Sequence, residues 1–224
     1  YGLENLPRAF VVTIISYDAL RLMGSESNAS YMLACAAIGS LVVTLNSGRL
    51  IRLMSRKWVF TLAVAGLGLA GVLTMWGDPW LFTLGLFFRN AGAGLPLVIL
   101  SLYVRDFVPQ KDLVQAERRR MFFAGAVWLF APTAGVFVWH AFGPATAYLM
   151  TVPAAGLLLT VFWALRLREA ENVDAEPTKA RVNTREAMRR YFNDPNLAIA
   201  YFIAVSRSVF YVSIFTYVPM YVVS

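Results

Sequence analysis

A bilayer-spanning helix needs about 20 mostly apolar residues, and the chain offers seven such segments: 2–22, 30–47, 58–76, 80–104, 121–142, 144–165 and 196–223. The third, "WVFTLAVAGLGLAGVLTMW", and the sixth, "PATAYLMTVPAAGLLLTVFWAL", carry no charge. The fourth carries only Arg89, while Glu4, Arg8 and Asp18 interrupt the first. The polar connections alternate in character. "SGRLIRLMSRK" holds four Lys/Arg, "RDFVPQKDLVQAERRR" five, and the long "RLREAENVDAEPTKARVNTREAMRRYFNDP" seven. The connections between them, "RLMGSESNAS", "GDP" and "FG", hold one in all. Sixteen of the twenty basic residues therefore gather on one side. The positive-inside rule assigns that side, and with it the N-terminus, to the cytoplasm.

Composition agrees. The chain is 58% hydrophobic and 15% charged, with mean hydropathy +0.59, whereas soluble domains carry about 25% charged residues. The net charge of +7 is explained by topology, so nucleic acid is not an expected partner; the lipid bilayer is. Trp58, Trp76, Trp80, Trp139 and Trp163 fall near segment ends, where the amphipathic indole suits the headgroup region, and Trp128 alone is internal. With one Cys, Cys35, and one His, His140, neither a disulfide framework nor a metal centre is expected, and no catalytic constellation or cofactor site is visible. The expected fold class is an all-α polytopic membrane protein. Residues 1–168 form a first six-helix bundle, 169–195 a cytoplasmic linker, and 196–224 the start of a second bundle. Within the linker, "NTREAMRRYFND" puts Met188, Tyr191 and Phe192 on one helical side, as an interfacial amphipathic helix would; a solvated turn is the plainer alternative.

Two short motifs differ in weight. "GLGLAG" at 66–71 matches a dinucleotide fingerprint in letters only, because it lies inside an uncharged span with no strand before it. Small residues there let helices approach closely. "GRLIRLMSRK" at 48–57 is more specific. It resembles the loop signature of the major facilitator superfamily, matching at Gly48, Leu50, Arg56 and Lys57. Arg52 stands where that family usually has an acid, and Ser55 where it usually has a second glycine. "RNAGAG" in the fourth segment looks like the family's fourth-helix pattern, and "APTAG" at 131–135 is similar to the core of its antiporter motif.

The resemblance implies a fragment of a twelve-helix secondary transporter: the first six-helix bundle, a cytoplasmic linker and the seventh helix. It implies alternating access to a small-molecule substrate, a multi-pass place in the cell (inner or plasma) membrane, and a charge latch on the cytoplasmic side. Arg56 and Asp106, at the inner end of the fourth segment, are the expected partners in that latch, while Arg52 reverses the usual sign.

Depth gives the buried charges meaning. Arg89 lies nine residues in from Trp80, roughly 14 Å at about 1.5 Å per residue, which is near the bilayer midplane. Arg207 lies eleven residues beyond Asn196, again near mid-depth. Glu4, Arg8, Val11, Ile15 and Asp18 follow helical spacing and share one face. In the family the first, fourth and seventh helices line the translocation cavity. Arg89 and Arg207 are thus expected to hold a negative group, on a substrate or on a coupling carboxylate. Asp18 is the expected proton carrier, pairing with Arg89 in turn. The alternatives are a structural ion pair for Arg89, an i,i+4 pair for Glu4 and Arg8, and an outer headgroup position beside Arg21 for Asp18. A seven-helix receptor and a non-transporting sensor are the rival functions; against a retinal protein, segment 196–223 holds no lysine.

Overall fold

A computed structural model describes residues 2–167, 189, 193–214 and 218. The expected linker helix and most of the 169–195 linker lie outside the described residues. Among the described residues every regular element is helical. Helices α1 (Gly2–Phe10) and α2 (Val12–Met23) are followed by α3 (Glu26–Leu45), α4 (Ser47–Thr74) and α5 (Pro79–Phe107). After a single 3-10 turn at Gln110–Asp112 come α6 (Leu113–Phe142), α7 (Pro144–Leu149), α8 (Thr151–Leu167) and α9 (Pro195–Val212).

Local chemistry sets the boundaries. Gly24 closes α2 in the left-handed conformation, φ 66°, its N–H donating to the Leu20 carbonyl. Ser25 caps α3 by accepting from the Asn28 amide at 3.3 Å. Asp78 caps α5 by accepting from the amides of Trp80 and Leu81, both at 2.9 Å, with Pro79 at the first helical position.

Five helical stretches are long and apolar enough to cross a membrane: Glu26–Leu45, Ser47–Thr74, Pro79–Phe107, Gln110–Phe142 and Pro144–Leu165. They coincide with the second to sixth expected segments. The first segment differs from expectation: it is two short helices broken at Val11, whose φ of −105° and ψ of 4° leave the helical path one turn after Pro7. The sixth is interrupted at Met150, between α7 and α8. The stretch 48–57 is also not an open loop, because α4 begins at Ser47, with only Asn46 between it and the end of α3, and kinks sharply at Ser55.

Helices α4 and α5 pack against each other most extensively. Their backbones meet closely because Gly92 has no side chain: a Cβ there would stand 2.6 Å from the Ala63 carbonyl oxygen. Gly71 of "GLGLAG" similarly abuts the Tyr148 carbonyl, so the end of the motif faces α7 and α8 while Gly66 faces Phe88 of α5. Two apolar clusters fill the interior. One joins Val11, Ile14 and Ile15 to Phe82, Leu86 and Tyr148; the other joins Phe60, Val64 and Leu67 to Leu95, Ile99 and Leu158. Phe122, Phe130 and Phe137 of α6 point outward, as lipid-facing positions do.

Candidate functional site

The break at Val11 defines the site. A helix ends with carbonyls that lack intrahelical partners, and Arg89 of α5 meets one of them. Its Nη2 donates to the Arg8 backbone carbonyl at 2.6 Å, and its Nη1 to Asn90 Oδ1 at 3.4 Å. A cation at a helix C-terminus also suits the helix dipole. Arg89 forms no ion pair among the described residues. Its Nε is buried with no hydrogen-bond partner.

Arg8 is held differently. Its guanidinium lies over the Trp128 ring of α6, 5.5 Å from the centroid, in cation–π geometry. Trp128 Nε1 in turn donates to Asn5 Oδ1 at 3.3 Å. The Nε of Arg8 is buried without a partner. Glu4 does not pair with Arg8, contrary to the i,i+4 alternative: both of its carboxylate oxygens are buried and unpartnered.

Asp18 is 6% exposed, buried against the protein rather than open to solvent. Its Oδ2 accepts from the Tyr148 hydroxyl at 2.7 Å; it does not pair with Arg89 here. A cavity lined by Pro7, Val11, Arg89, Tyr148 and Thr151 has room for about one water, and Tyr148 is the residue that links it to Asp18. Glu4, Val11, Ile15 and Asp18 are all buried and Arg8 partly so, so the shared face of the first segment points inward despite the break. Arg207 lies within α9, but its side chain is outside the described residues.

At the other end of the bundle, Arg56 and Asp106 form an ion pair joining α4 to α5. Ser55 adopts φ 62° and ψ 154°, a conformation found almost only in glycine, at the position where the resembled signature carries glycine. Arg52 is exposed and Lys57 partly buried, and Leu50 packs against the second apolar cluster. A Cβ at Gly48 would meet nothing within 4 Å; nothing among the described residues explains that glycine. In "APTAG", Ala131, Pro132 and Gly135 are buried, and Gly135 lets the Phe10 carbonyl, freed next to the break, approach α6.

The family model of the Major Facilitator Superfamily matches residues 3–224. The chain belongs to this superfamily. No curated protein and no solved structure matches it. Major facilitator proteins are integral membrane transporters of small molecules and are generally not enzymes, which agrees with the five apolar helices. Within this facilitator chain, three residues of the site escaped the sequence reading: Asn5, Trp128 and Tyr148. Trp128 had a signal, as the one tryptophan away from a segment end. Tyr148 had only its phenol in an otherwise apolar run.

Proposed function

We propose that the chain is the first bundle and seventh helix of a proton-coupled secondary transporter for a small anionic, carboxylate-bearing solute, working by alternating access between two bundles. One observation carries this reading: Arg8 and Arg89 are drawn together in the interior with no ion-paired acid among the described residues for either. Two uncompensated guanidiniums in a poorly solvated interior are expensive. Bound anion supplies the missing charge, and each guanidinium still has donors to offer it. Arg207 of the seventh helix is assigned to the same anion site on the sequence expectation alone.

Asp18 is the coupling carboxyl in this scheme. When ionised it accepts from Tyr148; when protonated it releases that hydroxyl toward the cavity that Tyr148 and Arg89 line. Proton and anion thereby compete for one polar interior, as exchange requires, and the "APTAG" resemblance favours export. The basic connections face the cytoplasm in the cell membrane, with the N-terminus inside. There the Arg56–Asp106 pair and the exposed Arg52 form the latch that meets the second bundle.

The test is proton movement in vesicles containing the full-length protein, with a pH-sensitive dye inside and a panel of mono- and dicarboxylates outside. Arg89→Ala is expected to abolish anion-driven proton movement, and Asp18→Asn to uncouple it. Unchanged movement in Arg89→Ala removes the central-site role; normal proton exchange in Asp18→Asn removes that carboxyl as carrier.

A further inference from the structure

Two carboxyls lie buried on the inward face of the first segment, and their surroundings differ. Asp18, in α2, has the Tyr148 hydroxyl. Glu4, in α1, is 3% exposed and has no hydrogen bond to either oxygen. An ionised carboxylate accepts strongly at both oxygens, and burying one bare carries the desolvation penalty of any lone buried ion. A protonated carboxyl carries no net charge and tolerates the same place far better.

The neighbouring cations keep the opposite state within reach. Arg8 lies one turn along α1, and Arg120 of α6 acts on Glu4 electrostatically. Arg89 of α5 is next, hydrogen-bonded to the Arg8 carbonyl. Each of these cations is already occupied: Arg120 Nη1 with Glu117 and Ser101, Arg8 with the Trp128 ring. They stand near Glu4 without forming an ion pair with it. Arg166 of α8, which also packs on α1, has its side chain outside the described residues.

We propose that Glu4 is a second proton-binding carboxyl of the transport cycle, seated between α1 and α6 on the far side of the Arg8–Arg89 pair from Asp18. The inference rests on the transporter reading above. The broken first segment then carries two proton sites with an anion site between them. The proton comes from water and returns to it, and only an O–H bond is made and broken. Asn5 and Trp128 act as positioning residues, fixing Arg8 so that it draws on Glu4 without pairing to it.

Infrared spectroscopy of the full-length protein in lipid, grown with carbonyl-labelled glutamate, reads this site without any substrate. The expected result at neutral pH is a carboxylic-acid C=O band that shifts with the glutamate label. That band is lost in Glu4→Gln, and in Glu4→Asp it moves to the aspartate-labelled set. A band that survives in Glu4→Gln overturns the proposal, as does wild-type protein with no protonated glutamate at neutral pH. Should Glu4→Gln fail to fold, Glu4→Asp decides alone: no new protonated aspartate band refutes the site. Failure of the transporter reading is separately visible, as wild-type vesicles that move no protons with any carboxylate tested.

Discussion

Ser55→Gly is expected to stabilise the protein, although it deletes a side chain from a motif the chain partly lacks. Ser55 holds φ 62° and ψ 154°, which costs a residue with a Cβ about 1–3 kcal/mol. Glycine adopts this conformation freely, but ordering it costs roughly 0.5–1 kcal/mol more than ordering an ordinary residue. The Ser55 side chain is exposed and makes no hydrogen bond among the described residues, so little else is lost. The net gain is about 1 kcal/mol, equivalent to roughly 2–4 °C in Tm for a chain of this size. Thermal unfolding in detergent, followed by the fluorescence of the six tryptophans, measures it. Ser55→Ala is the control: it keeps the Cβ and the strain, so its Tm should match wild type. An unchanged or lower Tm for Ser55→Gly, or an equal rise for Ser55→Ala, refutes the account of the kink.

Two further outcomes follow from the packing. Tyr148→Phe leaves the Asp18 carboxyl buried without its hydroxyl donor and should cost about 1–3 kcal/mol; Asp18→Asn in the same background should cost much less than it does alone, and additive losses in unfolding experiments would show that the two groups do not interact. Gly135→Ala puts a methyl where a Cβ would stand 2.8 Å from the Phe10 carbonyl carbon, and overpacking of this kind costs about 1–3 kcal/mol; a wild-type Tm would mean that α1 and α6 are not pressed together there.

Charge-free runs and basic connections made the second to sixth spans legible, because bilayer thickness and the cost of buried charge act on composition alone. The ion pair of Arg56 and Asp106 was also within reach, since both sit at the same end of neighbouring helices. The breaks were not. Pro7 lies a full turn before Val11, so that break carries no signal at its own site, and the one at Met150 has only an indirect one, Pro153 three residues on in the first turn of α8. Tyr148 meets Asp18 across 130 residues of chain, and periodicity within one element says nothing of such a meeting. What the sequence did expose was the anomaly, Arg89 in an apolar run; its partner, a backbone carbonyl, has no letter.

The broken first segment bears on how the protein enters its membrane. The break at Val11 keeps the segment from crossing as one continuous helix, and each charge near the centre of a span costs about 2.5–3.5 kcal/mol on insertion. By its own composition the segment is a poor candidate to cross. It becomes a good one only in company, once Arg89 stands ready to take the Arg8 carbonyl and Tyr148 the Asp18 carboxyl. Both partners are encoded later in the chain, so the stretch translated earliest among these helices has the strongest reason to settle last.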